Sequence, residues 1–312
     1  MQVHLNLNEL PRFNQAVITI GTFDGVHIGH QQIIQRVTAQ AAQTGGESVI
    51  ITFEPHPRLI VHRNDPAVEI LTTLEEKIIC FERLGIDHLV VVPFTEAFAT
   101  QTAEGYIRDF LVEKFNPHTI IIGYDHRFGN NREGDLKMLE QAATQYGFIL
   151  EEIPVQLIHS ISVSSTKIRE ALKAGDVPLA AEMLGCPYFL LGRVIHGDKR
   201  GRQLGYHTAN LELSHPHKLI PENGVYAVEV KYRGEFWNGM MNIGYRPTVD
   251  NSHHLSIEVH ILDFNEDIYD QVIEVRFINR IRDEKKFSSI EELKKQLDLD
   301  KQATIQFLHK NL

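Results

Sequence analysis

The chain has 312 residues, 43% of them hydrophobic and 23% charged, with a formal net charge of −10. This composition is typical of a globular protein with length for two domains, and the acidic balance argues against a nucleic-acid-binding protein. Cys80 and Cys186 are the only cysteines, which excludes a disulfide framework and favours a cytoplasmic location. The absence of a signal-like or bilayer-length apolar run predicts no membrane association.

The first half of the chain alternates short apolar strands with helical patterns. We predict strands at 17–20, 48–53, 88–92 and 119–122, and helices at 31–43, 74–84 and 103–115. This alternation predicts an α/β doubly wound, mostly parallel sheet of Rossmann-like type. Ligands of such sheets bind at the carboxyl ends of the strands.

A polar, glycine-rich run, GTFDGVHIGH at 21–30, directly follows the first predicted strand and opens into a helix. Unpaired N–H groups at a helix start attract phosphate, and glycines allow phosphate to approach the backbone closely. His27 and His30 are three residues apart, so they share a face where the helix has begun. The pattern indicates stabilisation of a nucleoside triphosphate during attack on its α-phosphate, although the lysine of a P-loop is missing.

Further polar clusters follow two other predicted strands, at 52–58 and 123–129, and we expect the three strand ends to converge on one crevice. The sequence SSTKIR at 164–169 opens another helix. Its hydroxyl groups and Arg169 suit phosphate oxygens, while Ser164 or Ser165 could instead serve only as a helix cap.

From about residue 188 the apolar period changes to two. Strands predicted at 188–196, 224–233, 236–243, 255–264 and 271–277 indicate a small antiparallel β-barrel. A C-terminal helix is expected from Ser288, with Glu291 completing a capping box. Gly and Pro at 185–187 place the domain boundary between 1–184 and 185–312.

A second glycine-rich block spans 197–210, with basic residues interleaved, and is either a phosphate cradle or a flexible basic loop. Thr208 and Asn210 offer neutral oxygens that suit Mg²⁺ sharing its other positions with phosphate and water. Glu258 shares a strand face with Ser256 and His260, and it could accept a proton from a substrate hydroxyl.

These clusters, together with 242–248 and 257–264, occur in an order that resembles the bifunctional bacterial riboflavin kinase/FAD synthetase family over nearly the whole chain. The resemblance implies that the barrel phosphorylates riboflavin with ATP to give FMN. It implies that the first domain joins AMP from a second ATP to FMN, which gives FAD and pyrophosphate. Mg²⁺ is the implied cofactor, ATP the co-substrate and flavins the other ligands, with no nucleic acid and no obligatory protein partner.

The resemblance also implies roles for individual residues. His27 and His30 would stabilise charge on the transferring phosphate, and Glu258 would be the base on the ribityl 5′-hydroxyl. Thr208 and Asn210 would hold Mg²⁺. The remaining implied positions bind nucleotide or flavin: Gly21, Phe23, Asp24, Asp125, Phe128, Ser164, Ser165, Thr166, Arg169, Gly197, Lys199, Arg200 and Gly205.

Two residues depart from the family pattern. His207 stands where Pro usually precedes Thr-Ala-Asn, which relaxes a restraint on φ, and His126 replaces a common Phe beside the flavin. Two alternative functions are weighed against these residues. One is a nucleotidylyltransferase for another phosphate, which would lack the barrel block; the other is a flavin-binding regulatory or carrier protein with an inactive kinase half.

Overall fold

The computed structural model describes residues 1–61, 68–123, 126–153, 163–197, 206–247 and 253–309. Contacts within the chain divide it into two compact units, Met1–Ser165 and Thr166–Leu312. The domain boundary expected at 184/185 stays a prediction.

The first unit contains a six-stranded sheet in which every neighbouring pair is parallel, in the order β1-β4-β3-β2-β5-β6. Its strands are β1 (Gln2–His4), β2 (Val17–Ile20), β3 (Ser48–Glu54), β4 (His88–Pro93), β5 (Thr119–Gly123) and β6 (Ile149–Ile153). The predicted doubly wound α/β architecture is confirmed. The two outer strands, β1 and β6, were not predicted, because neither carries the continuous apolar run of a strand buried on both faces.

The central strand β2 is buried on both faces. Val17 packs into one hydrophobic cluster and Ile18 into the other, which explains the unbroken apolar run. The helices of this unit are α1 (Ile28–Thr44), α2 (Pro57–Val61), α3 (Leu74–Arg83), α4 (Glu96–Ala99), α5 (Ala103–Gly105), α6 (Glu113–Phe115) and α7 (Leu136–Tyr146). A π-helical segment, Tyr106–Val112, joins α5 to α6, so the helix predicted at 103–115 has three parts.

The second unit contains a closed barrel in the order β10-β11-β8-β7-β12-β9, with antiparallel neighbours. Its strands are β7 (Phe189–Ile195), β8 (Ala209–Leu213), β9 (Gly224–Tyr232), β10 (Glu235–Pro247), β11 (His253–Ile261) and β12 (Val272–Arg282). The predicted small antiparallel barrel is confirmed, and β8 adds a strand that the glycine-rich block obscured in the sequence.

Helix α8 (Ser165–Lys173) begins at the last residue of the first unit, and α9 (Val177–Leu184) and α10 (Ile290–His309) belong to the second. The cap predicted for α10 is wrong by one residue. The Ser289 hydroxyl accepts from Glu292 N–H, and Ser288 N–H donates to the Glu292 carboxylate, because Ser289 directly precedes the first helical residue. Within the described residues, every helix is too short or too polar to cross a membrane.

Candidate functional site

The loop between β2 and α1 places two histidines at a helix start. His27 is the N-cap of α1, and its Nδ1 accepts from His30 N–H at 3.3 Å. In the neutral ring this leaves Nε2 of His27 as an N–H donor. Phe23 and Val26 have left-handed φ angles of 48° and 42°, conformations that a β-branched or aromatic residue rarely adopts. Such backbone persists where the surrounding contacts determine it.

The two imidazole rings are stacked, with centroids 3.6 Å apart and planes 15° apart. Burial lowers the pKa of His27 to about 4, and the Asp24 carboxylate opposes only part of this effect. Burial also holds the pKa of His30 well below its ordinary value, and His27 and Lys77 act in the same direction. Without a bound phosphate both rings are therefore neutral at pH 7, and their ring N–H groups are available as hydrogen-bond donors.

Asp24 ties the histidine loop to two other segments of the first unit. Its Oδ1 accepts from the N–H groups of Leu71 and Thr72 at 2.8 and 3.1 Å, and its main-chain carbonyl accepts from Ser165 Oγ at 3.0 Å. His56 Nε2, from the cluster after β3, lies 4.0 Å from Asp24 Oδ2. The strand-end clusters at 21–30 and 52–58 thus meet as expected, and β5 lies directly beside β2 on the other side.

A buried lysine lies beneath this loop. Lys77 of α3 is 2% exposed, and its Nζ lies 3.4 Å from the Thr52 hydroxyl, which in turn donates to the Thr22 carbonyl at 3.3 Å. Burial lowers the pKa of Lys77, while Asp24 and Glu54 raise it. Lys77 is not marked by the sequence pattern, since a single lysine in an amphipathic helix normally faces solvent. Its place among the apolar residues Leu74, Ile78 and Phe81 is the signal that indicates burial.

The other residues predicted within 1–184 lie in different surroundings, and two of them, Thr166 and Arg169, belong to the second unit. Gly21 gives room to the buried Phe23 ring, which would lie 3.1 Å from a Cβ at that position. Phe128 is buried and stacks on Tyr106 with centroids 5.0 Å apart, while the His126 ring lies 5.7 Å from that of Phe128. Ser164 directly precedes α8, in which Ser165, Thr166 and Arg169 all lie. Asp125 lies outside the described residues.

In the barrel, Glu258 is held by two hydroxyl groups. Ser256 donates to Oε1 at 3.1 Å and Thr208 donates to Oε2 at 3.2 Å. The register of β11 against β8 pairs Glu258 with Asn210, so the three predicted residues Thr208, Asn210 and Glu258 are brought together. The predicted alternation of β11 holds as well, with 256, 258 and 260 less buried than 257, 259 and 261.

Two cavities meet at Thr208. One, of about 390 Å³, is lined by Gly197, Thr208 and Asn210 with Phe264 and Tyr269. The other, of about 310 Å³, is lined by Thr208 and Glu258 together with apolar side chains of β10 and α10. Thr208 lines both cavities, whereas Asn210 lines only the first and Glu258 only the second.

The donor set around Thr208 fits a hard cation. The Thr208 hydroxyl donates a hydrogen bond to Glu258, so the lone pairs of its oxygen remain available to a cation. A Cβ at Gly197 would overlap the Asn210 amide, so glycine there makes room for that side chain. The described residues contain no metal-holding group of three or more His, Cys, Asp or Glu, so a cation here would rely on neutral oxygens and substrate. Lys199, Arg200 and Gly205 lie outside the described residues.

Two side-chain contacts at the second cavity, one hydrogen bond and one ion pair, were not predicted from the sequence. Tyr206 Oη lies 2.5 Å from Asp298 Oδ1 of α10, and Arg282 of β12 forms a two-pronged pair with the buried Asp300. Each contact joins residues far apart in the chain, so no local sequence pattern indicates it. Both attach α10 to the wall of the cavity that contains Glu258.

Comparison with known proteins yields matches over both units. A family model described as FAD synthetase matches residues 10–167, and one described as riboflavin kinase matches residues 184–308. The bifunctional riboflavin kinase/FMN adenylyltransferase of Haemophilus influenzae is 39% identical, over 99% of this chain and 100% of its own. That of Bacillus subtilis is 38% identical, over 94% of this chain and 92% of its own.

A solved structure from Streptococcus pneumoniae, described as a macrolide-efflux protein, has a TM-score of 0.84 at 30% identity and covers 97% of this chain and 98% of its own. The whole fold, with both units, is therefore shared with a solved structure. Since the sequence matches extend over both units and nearly the full length of the relatives, the chain belongs to the bifunctional riboflavin kinase/FMN adenylyltransferase family.

Proposed function

We infer that this chain makes FAD in two transfers: ATP phosphorylates riboflavin to FMN, and a second ATP adenylylates FMN with release of pyrophosphate. The observation that supports a kinase site most directly is the pair of cavities that meet at Thr208 beside Glu258. Phosphoryl transfer requires a donor and an acceptor on opposite sides of one phosphorus atom, and two cavities that share Thr208 as a lining residue suit such an arrangement.

The position of Glu258 supports an assignment of the two substrates to the two cavities. A base must reach the hydroxyl that it deprotonates, and Glu258 lines only the second cavity, so riboflavin belongs there with its ribityl 5′-hydroxyl towards the carboxylate. ATP then belongs in the first cavity. The 5′-oxygen attacks the γ-phosphorus, Glu258 takes the hydroxyl proton, and the bond to the β-phosphate oxygen breaks to release ADP.

Thr208 and Asn210 are the residues that would hold Mg²⁺ in this site. When bound, the ion supplies positive charge that offsets the negative charge of the ATP phosphates. The chain itself contributes orientation, because the Ser256 and Thr208 hydroxyls fix both oxygens of Glu258.

In the first unit, a phosphate oxygen of FMN attacks the α-phosphorus of ATP and pyrophosphate leaves. His27 and His30 donate N–H groups to the phosphate on which charge accumulates. Asp24 positions their loop by binding two backbone N–H groups, while Ser164, Ser165, Thr166 and Arg169 remain the proposed contacts to the triphosphate. The flavin contacts of Asp125 and Phe128, the nucleotide contacts of Lys199, Arg200 and Gly205, and a cytoplasmic location stay predictions.

The test is chromatography of flavins after incubation of the purified chain with riboflavin and Mg-ATP, and with FMN and Mg-ATP in a second tube. FMN followed by FAD in the first tube is the expected result. FAD from supplied FMN with no product from riboflavin would favour the alternative of an inactive kinase half. No conversion in either tube would overturn both assignments.

A further inference from the structure

His260 lies on the same face of β11 as Glu258, at the point where the pairing of β11 with β8 ends. The register pairs Glu258 with Asn210 and Val259 with Ala209. The next pair in this register would be His260 and Thr208, but β8 begins at Ala209. Thr208 therefore lies just beyond the last backbone pair of the ladder, although it is the residue that lines both cavities.

The His260 side chain forms the next hydrogen bond between the two segments, where the backbone ladder ends. Its Nδ1 lies 2.7 Å from the main-chain carbonyl oxygen of His207. A carbonyl oxygen only accepts hydrogen bonds, so Nδ1 carries the hydrogen, and the geometry thereby fixes the ring orientation and tautomer. The Tyr206 ring packs edge-on against the imidazole at 5.0 Å, and the Tyr206 hydroxyl is tied to Asp298.

The hydrogen bond holds the peptide unit that joins His207 to Thr208. A shift of this peptide would carry the Thr208 hydroxyl away from Glu258, with which it forms a hydrogen bond of 3.2 Å. The bond uses the main chain of residue 207, which histidine and proline both supply. The contact from β11 is therefore independent of the side chain at position 207, and the His207 side chain itself is exposed.

We propose that His260 is a positioning residue of the phosphoryl-transfer site, whose Nδ1–H fixes the His207–Thr208 peptide so that Thr208 stays beside Glu258. The proposal rests on the proposed kinase function of the barrel. His260 also lines the second cavity, beside Glu258. Its effect on the reacting atoms is assigned to Thr208, the residue proposed to hold Mg²⁺, rather than to a direct contact of the imidazole ring.

Two amide variants separate this role from others. The amide nitrogen of His260→Asn lies near the position of Nδ1 and can still donate to the His207 carbonyl, whereas that of His260→Gln lies nearer to Nε2. We expect His260→Gln to lower kcat for riboflavin phosphorylation at least about tenfold and to raise the Mg²⁺ concentration that gives half-maximal rate. His260→Asn should stay within about threefold of the unmodified chain in both quantities.

The melting temperature of each variant reports whether the barrel is folded, and adenylylation of supplied FMN, measured on the same preparations, reports whether the first unit is intact. Equal losses in the two variants, or an unchanged Mg²⁺ requirement in His260→Gln, would overturn the positioning role. Loss in His260→Asn alone would also overturn it, because Nε2 would then be the atom that matters. If the unmodified chain does not phosphorylate riboflavin, the proposed function itself fails, before the variants are compared.

Discussion

The two units hold their reactive side chains in opposite ways. In the parallel-sheet unit, Asp24 and His27 are 2% and 7% exposed; Asp24 accepts from backbone N–H groups of a distant segment, and His27 accepts from His30 N–H of its own helix. In the barrel, Glu258 is half-buried beside an open cavity and is held by two hydroxyls. In the first site the reactive side chains are held in place by burial, whereas in the second they are held by other side chains on the outer face of a strand.

This difference predicts what substitutions cost. A change at a buried polar group leaves partners unsatisfied, so in the first unit it should reduce both stability and activity. A change at a cavity-lining side chain of the barrel removes chemistry and little packing. Because both activities belong to one polypeptide, each is the internal control for the other.

The largest expected effect tests the barrel side of the comparison. Glu258→Gln removes the base, so riboflavin phosphorylation should fall at least about 100-fold. The melting temperature and the adenylylation of supplied FMN should remain unchanged. Glu212→Gln, at an exposed position of β8, is the matched control and should keep both activities. A parallel fall of adenylylation in Glu258→Gln would contradict two separate sites.

His30→Ala tests the buried site with a somewhat smaller expected loss. Removal of one N–H donor to the reacting phosphate should lower adenylylation about 100-fold, while riboflavin phosphorylation is retained. The ring also stacks on His27 and packs against Phe23, so the first unit should melt at a lower temperature. Gln35→Ala, at an exposed position of the same helix, provides the control. Loss of activity with unchanged melting would break the proposed link between burial and function in this unit.

Gly197→Ala tests whether Asn210 of the barrel helps to hold Mg²⁺. The new Cβ would displace the Asn210 amide, and we expect riboflavin phosphorylation to fall about tenfold, with a higher Mg²⁺ requirement. Adenylylation and melting temperature should not change. Initial rates across a magnesium titration measure the effect, and a lower rate at an unaltered magnesium requirement would show that Asn210 does not help to hold the ion.

The smallest expected effect is a pH dependence of the first unit. The pKa of His27 is about 4 in the folded chain against an ordinary 6.5, so between these values the unfolded chain binds more protons. The free energy of unfolding should therefore fall as the pH is lowered through this range, by about 2 kcal/mol at pH 5 from this residue.

Urea unfolding followed by circular dichroism at pH 7 and pH 5 measures this loss. His27→Asn keeps a helix-capping side chain without a titratable ring, so its unfolding free energy should vary less with pH. An equal pH dependence in the two chains would assign the effect to other groups.

The sequence predicted the features of this molecule that depend on local pattern. The change of apolar period near residue 188 separated the parallel sheet from the barrel. Residue types with their spacing made His27, His30, Thr208 and Glu258 candidate site residues, and their roles stay predictions. The sequence did not predict features that depend on contacts between residues far apart in the chain. The ligand contact of Asp24 stays a prediction, and its carboxylate also accepts from backbone N–H groups about 47 positions along the chain, which no local pattern reveals.

The same limit explains the residues that were missed. His260 was noted only as a neighbour of Glu258 on the strand, because its partner is a main-chain carbonyl 53 positions away. Lys77 carries no local sign that its ammonium lies beside Thr52. Strand β8 was hidden because its first residues continue a glycine-rich block that by itself indicates a loop.

The closed barrel has a consequence for insertions and deletions. In a ring of paired strands, a slip by one residue in any ladder must be matched elsewhere in the ring, and it moves side chains to the opposite face. A single-residue deletion within β7 or β12, even at a position that lines neither cavity, would therefore misalign Glu258 and Asn210. The same deletion in β1 affects a strand at the end of the described sheet order, where the slip can be absorbed without disturbing β2. The barrel should thus tolerate changes of length only in its connecting loops.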